Sequence, residues 1–290
     1  MTGLVPLIPE NLETCLEMLA EHGRDARVIA GGTDLFILVK AKTVSPRFVV
    51  PVGHIEGLKH ASQKNRTVQL GAGLKHAEIA NLGMLEDVPC LRNAARSVGS
   101  PQVRNAGTLG GNLANASPAA DLYPPLLALE AQVEILKQGG RRVIGLDDFV
   151  RGPGMTVLLP EEIIGSVVFS RPDAPFVARH EKVGLRNALA VSVTSTALVA
   201  RAEDGRFRDV RVACGAVAPT PIRLRRVEKA VEGERPDEDL FEEAASLAAS
   251  ECDPITDIRA SRQYRCHVTG VVVSRLLRLA ARDLLSYGEA

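Results

Sequence analysis

The hydrophobic and polar positions of this chain change period several times. In "PENLETCLEMLAEHG" Leu12, Cys15, Leu16 and Leu19 share one helical face and Gly23 stands at a C′ position, so the spacing predicts an opening amphipathic helix. The apolar run "ARVIA" then reads as a buried strand, Gly31-Gly32 as a turn, Asp34 to Lys40 as a short helix and "RFVVPV" as a second strand. These elements make a small α/β unit. From Thr67, "TVQLGAGLKHAEIANLG" reads as strand, glycine turn and helix, and a further helix runs to about Val98. After a long Gly/Asn/Ser/Pro segment, a short helix and a strand at Val133 to Leu136 follow, with Gly139-Gly140 turning a hairpin into "RRVIGL".

The last third has a different pattern. Two long strand candidates meet at Asp204-Gly205, a strong hairpin signal. Helices are predicted at Leu224 to Val231, in "DEDLFEEAASLAAS" and from about Ser261 to Leu285. An antiparallel sheet covered by a helix layer is the natural packing, with a boundary near Arg171 to Ala178. The resulting division is 1–57, 58–175 and 176–290.

Charge and cysteine usage narrow the classes of function. Lys plus Arg and Asp plus Glu number 35 each, so no global field draws the chain to nucleic acid or an anionic membrane. The most apolar late stretch, "VTGVVVSRLLRLAA", is interrupted by Arg275 and Arg278, which argues against a membrane span. Cys15, Cys90, Cys214, Cys252 and Cys266 are odd in number and form no CxxC pair. They read as buried free thiols in a reducing cytoplasm and supply no metal or iron–sulfur ligand set.

Two glycine-rich segments carry the candidate chemistry. Gly31 and Gly32 in "VIAGGTDLFILVK" serve either as plain turn residues or as an anion cradle in which backbone N–H groups meet phosphate directly. Gly71 and Gly73 begin a dinucleotide fingerprint, but His76 replaces its third glycine, which argues against a Rossmann site. The segment "GSPQVRNAGTLGGNLANASPAAD", from Gly99 to Asp121, is long and rich in neutral donors and acceptors, as suits a large polar ligand. A diphosphate held by backbone amides and hydroxyls needs no lysine cluster. The two loops together favour a nucleotide.

"AGGTDL" at Ala30 to Leu35 and "GTLGGNLANASPAADLYPPLLAL" at Gly107 to Leu129 resemble the two FAD-binding loops of the flavoprotein subunit of molybdenum hydroxylases, the xanthine dehydrogenase and carbon monoxide dehydrogenase family. The likeness extends to "LPEEII", "EKVGLR" and "QYRCHVTGVVVSRLL", where the family often has a second Arg in place of Cys266. It covers nearly the whole chain in order. It implies an α+β architecture, the FAD-binding fold shared with vanillyl-alcohol-oxidase (PCMH-type) flavoenzymes, in which two α/β subdomains precede a sheet-plus-helices domain.

By the same resemblance Ala30, Gly31, Gly32, Thr33, Asp34 and Leu35 line the diphosphate, as do Thr108, Gly110, Gly111 and Asn112. Asp34 is expected to cap the following helix, because a carboxylate does not suit a diphosphate. Ser117 and Asp121 match polar positions of the second loop, where a carboxylate accepts bonds from sugar hydroxyls; for Asp121 a helix cap before "LYPPLLALEA" is the competing reading. Ile163 or Ile164 places backbone near the isoalloxazine, and Lys182 approaches its edge.

The resemblance further implies an oxidoreductase subunit that catalyses no substrate oxidation itself. It would take electrons from the two-iron, two-sulfur clusters of a small partner, fed by a large molybdopterin-binding partner, and pass them from FAD to NAD⁺, a quinone, dioxygen or another acceptor. The expected assembly is a dimer of heterotrimers. A self-contained flavin oxidase of the same fold is the alternative, but such enzymes commonly need substrate-sorting aromatics, and the chain has three Tyr, seven Phe and no Trp. No Ser/His/Asp or HExxH arrangement is visible.

Overall fold

A computed structural model describes residues 4–186 and 189–286. The N-terminal elements are β1 (Val5–Pro6), α1 (Leu12–His22), β2 (Ala26–Ile29), α2 (Leu35–Lys40) and β3 (Phe48–Pro51). The three strands form a parallel sheet in the order β1-β3-β2. Asn11 and Thr14 close a reciprocal capping box at the start of α1, and Gly23 ends it at φ +48°. Cys15 and Leu19 of α1 are buried with Val50 of β3.

The middle of the chain forms β4 (Ala61–Lys64), β5 (Thr67–Gly71), α3 (His76–Asn81), α4 (Pro89–Ser97), α5 (Pro101–Ala106), α6 (Leu109–Ala114), α7 (Tyr123–Ala128), β6 (Gln132–Lys137), β7 (Gly140–Gly145), β8 (Val150–Gly152), β9 (Met155–Thr156) and β10 (Ile163–Ser170). Its main sheet runs β4-β5-β10-β6-β7, all antiparallel, with the late strand β10 inserted between β5 and β6. The β6–β7 register pairs Lys137 with Gly140, so the tight turn is Gln138-Gly139 and not Gly139-Gly140; Gly139 supplies its positive φ of +71°.

The segment from Gly99 to Asp121 is less irregular than its composition suggests. Ser100 caps α5, with Pro101 as its first residue, and Thr108 caps α6 through a bond from the Gly111 N–H. Two six-residue helices are thus embedded in the small-residue run.

The remaining elements are β11 (Phe176–Val183), β12 (Thr194–Glu203), β13 (Arg206–Gly215), β14 (Ile222–Arg223), α8 (Arg225–Val231), α9 (Glu238–Glu251) and α10 (Arg262–Ser286). The strands pair antiparallel in sequence order. Asp204 and Gly205 both adopt positive φ in the two-residue turn between β12 and β13, as the sequence indicates. One face of this sheet packs on α8, α9 and α10 around Leu198, Val212 and Leu277. The other face, through Ala197, Val199 and Ala213, joins the core of the middle region beside Leu122 and Tyr123. The second glycine loop therefore lies against this sheet as well as the middle one. No helix among the described residues is long and apolar enough to cross a membrane.

Candidate functional site

The two glycine-rich loops, remote in sequence, touch. A Cβ at Gly31 would stand 2.0 Å from the Ala106 carbonyl oxygen, so only glycine allows the first loop to close on the second. Gly32 adopts φ +68°, which turns the chain from β2 into α2. Across the seam, Asn115 Nδ2 donates to Asp34 Oδ1 at 3.2 Å, while the Thr33 hydroxyl donates to Asp34 Oδ2 at 3.1 Å. Asp34 occupies the N-cap position of α2 without a side-chain capping bond. The expected cap is replaced by a bridge between loops.

The backbone N–H groups of Gly31, Gly32, Thr33 and Asp34 have no acceptor among the described residues. Four consecutive unpaired donors at a glycine turn form an anion cradle of the kind a diphosphate fits. The amides of Leu109, Gly110 and Gly111 in the second loop are engaged by contrast. Gly110 N–H donates to Ala72 O at 2.8 Å, Leu109 N–H to Leu74 O at 2.8 Å, and Gly111 N–H to Thr108 Oγ1 at 3.1 Å. Its first turn is zipped onto the Gly71-to-His76 segment, so the near-fingerprint there serves as a platform. A Cβ at Gly110 would meet Ala72 Cβ at 2.7 Å, whereas at Gly111 only Thr108 Oγ1 lies close, at 3.0 Å. Gly110 is thus required by packing, and exposed Gly111 leaves a path for a ligand. The Asn112 Oδ1 atom beside it is buried without a partner. Such an orphan suits a donor group on a bound molecule.

His76, overlooked as a site element, packs its ring against Gly107. Burial, reinforced by the charge of Arg104, lowers its pKa to about 4, so the imidazole is neutral at neutral pH. Farther along, Ser117 Oγ accepts from the Ala119 N–H at 3.3 Å and tightens the loop.

Asp121 does not cap α7, whose N-cap is Leu122 with no side-chain bond. Its buried carboxylate accepts from Lys182 Nζ through Oδ2 and from the Ser192 hydroxyl through Oδ1, both at 2.6 Å. Burial raises the carboxyl pKa, against the opposing pull of Lys182 and Ser192. Lys182 also donates to Ser97 O at 2.9 Å. It is a clamped internal cation rather than a solvated one, and Ser192 is a partner that sequence reasoning missed, since no local signal marks it.

Beside Lys182 opens a cavity of about 650 Å³ between the end of α4, the start of α5 and the end of β11. Arg96, Arg104, Lys182 and Arg186 line it, with no carboxylate among the described lining residues. In a chain of zero formal net charge this is a local concentration of positive potential. Ile163 and Ile164 sit at the start of β10, opposite Leu136 and Ile135, with their side chains buried. Their place under the second loop follows from the next residue, Gly165, whose carbonyl accepts from Ala72 N–H at 3.0 Å.

Comparison with known proteins gives the same picture. Residues 5–172 match the family described as the FAD binding domain in molybdopterin dehydrogenase, and residues 179–280 match the CO dehydrogenase flavoprotein C-terminal domain. The chain is 30% identical over 273 residues to the glyceraldehyde dehydrogenase medium chain of Sulfolobus acidocaldarius, covering 94% of this chain and 96% of the relative. It is 31% identical over 275 residues to the nicotine 6-hydroxylase medium subunit of Paenarthrobacter nicotinovorans, covering 93% and 94%. Among solved structures, a carbon monoxide dehydrogenase from Hydrogenophaga pseudoflava superposes with a TM-score of 0.92 at 27% identity, covering 97% of this chain and 98% of that one. Quinoline 2-oxidoreductase from Pseudomonas putida 86 gives 0.91 at 27% identity, with the same coverage. A cradle of free amides at the junction of two glycine loops, on this fold and with these relatives along nearly its whole length, places the chain in the family of FAD-binding subunits of the molybdenum hydroxylases.

Proposed function

We propose that this chain binds one FAD across the seam of its two glycine loops and serves as the electron-transfer subunit of a three-subunit molybdenum hydroxylase. The observation that carries the placement is the run of four unpaired N–H groups at Gly31 to Asp34, closed onto the second loop at Ala106 and Asn115. Those amides receive the diphosphate, with Ala30 and Leu35 on their flanks. Opposite them the Thr108 hydroxyl, which accepts from the Gly111 N–H, keeps its own proton to donate, and Asn112 turns to the nucleotide. The buried Gly110, expected from the sequence to line the diphosphate, has its N–H already spent on Ala72 O and only shapes the loop. Bound FAD supplies reversible two-electron storage. The chain's own residues orient it: Lys182 presents a cation to the pyrimidine edge, Ile163 and Ile164 offer backbone beneath the ring, and Ser117 and Asp121 mark the polar side of the second loop.

The same reading assigns the molybdopterin cofactor to a large partner and two two-iron, two-sulfur clusters to a small one, assembled as a dimer of heterotrimers in the cytoplasm. Free thiols at all five cysteines support that compartment. The family relationship supports the partners, and residues 1–57, 58–175 and 176–290 act as two FAD-binding subdomains and a C-terminal domain. An external acceptor such as NAD⁺ or a quinone approaches at the basic cavity.

Titration of the flavin-free chain with FAD, followed by flavin fluorescence, tests the placement. One equivalent should bind, and Gly111→Val should bind far less. Full binding by that variant would reject the loop assignment. Purification of the native complex with subunit and metal analysis tests the partners.

A further inference from the structure

The cation at Lys182 is held from a part of the chain that no flavin-binding motif includes. Ser192 is 1% exposed and lies just before β12; its hydroxyl donates at 2.6 Å to the Asp121 oxygen that Lys182 does not use. Both carboxylate oxygens are thereby engaged by protein donors, one neutral and one charged. The backbone that carries Ser192 is itself anchored. Arg265 of α10, 3% exposed, donates from Nη1 to Val193 O at 2.7 Å and to Ala216 O at 3.2 Å, and from Nη2 to Asp257 Oδ1 at 2.9 Å. The Ala216 N–H in turn donates to Pro118 O at 2.7 Å, three residues before Asp121. The C-terminal helix thus fixes both ends of the Ser192–Asp121 bond.

We propose that Ser192 is a positioning residue for the flavin-edge cation: by donating to Asp121 it shares that carboxylate's charge and limits how strongly the carboxylate draws the Lys182 ammonium away from the flavin. The inference rests on the placement of FAD beside Lys182. The geometry separates the roles. Ser192 is all but fully buried and its hydroxyl is spent on Asp121, so its influence on FAD passes through the Asp121–Lys182 pair. Its strength follows from charge assistance, since a short bond to a buried carboxylate is stronger than a neutral hydroxyl bond. Removing the hydroxyl leaves Oδ1 without its donor, concentrates the carboxylate charge on Lys182 and weakens the cation's field at the flavin.

The test is a double-substitution cycle read by the two-electron midpoint potential of bound FAD, with flavin occupancy and melting temperature measured for each variant. Ser192→Ala should disfavour the reduced flavin about threefold, which is about 14 mV at about 30 mV per tenfold for two electrons. Ser192→Thr, which keeps the hydroxyl, should restore the potential. In a Lys182→Met background Ser192→Ala should leave the potential unchanged. Equal shifts in both backgrounds, or none in the wild-type background, would overturn the proposal. If Lys182→Met by itself shifts nothing, the placement of FAD beside Lys182 fails instead. A purely structural serine would alter melting temperature alike in both backgrounds without moving the potential.

Discussion

Asn115 and Asp34, 81 residues apart, meet at 3.2 Å across the junction of two glycine loops, and this bond ties the loop that offers free amides to the loop that offers open space. The acid in the first loop thereby reaches the second loop, with Thr33 as a further donor to its other oxygen.

Breaking this bridge should loosen the cradle without unfolding the chain, because the contact is solvent-exposed. Asp34→Ala and Asn115→Ala should each raise the FAD dissociation constant about 2–5-fold, the equivalent of about 0.5–1 kcal/mol, and the pair of substitutions should be less than additive. Fluorescence titration of the three variants checks this, and full additivity would show that the two side chains act separately.

Gly31 and Gly111 should fail in different ways. Gly31→Ala places a methyl group into the Ala106 carbonyl and should cost about 1–3 kcal/mol of stability besides losing flavin. Gly111→Val faces little protein, so its melting temperature should stay near that of the flavin-free wild type while FAD binding is lost. Differential scanning fluorimetry of flavin-free proteins separates the two. A stable Gly31→Ala variant would contradict the observed seam.

FAD should be held non-covalently. Neither loop carries a cysteine, and the neighbouring His76 ring is 3% exposed and packed behind Gly107. Acid precipitation should release all yellow colour to the supernatant, and colour retained in the pellet would contradict the expectation.

Acidification should destabilise the chain through His76. Its folded pKa is about 4 against about 6.5 for an unperturbed imidazole, so between these values the unfolded state binds the proton and the folded state does not. This contribution is complete above about pH 6.5 and is lost as pH falls toward about 4. His180, held by burial and Lys182 at about 3, acts in the same direction. Melting temperatures of the flavin-free chain from about pH 7 to about pH 4.5 should fall less steeply for His76→Gln than for the wild type. Parallel slopes would exclude the assignment.

Much of this architecture is legible in local patterns. The helical face of α1, its glycine stop, the Asp204-Gly205 hairpin and the C-terminal helices follow from periodicity and turn chemistry acting over a few residues. The two loops stand out because runs of glycine, threonine and asparagine do not pack as an ordinary core. Strand β10 is not legible locally, since a continuous apolar run such as "IIGSVVF" carries no period of its own once both faces are covered, and β11, "FVARHEKV", mixes charged and apolar residues without a clear alternation.

The sequence by itself determined the elements with a clear period or turn signal, the two glycine segments and the family they resemble, because each is encoded in contiguous residues. Only the tertiary structure decided what those residues do. Gly31 and Gly110 are glycines because the Ala106 carbonyl and Ala72 lie against them, and Gly71 fits beneath Leu58 O rather than around a phosphate. Asp121 holds a buried lysine instead of capping a helix, with Ser192 and Arg265 behind it. Such contacts join backbones tens of residues apart, and their distances are set by how sheets and helices stack, a relation that no local window of sequence contains.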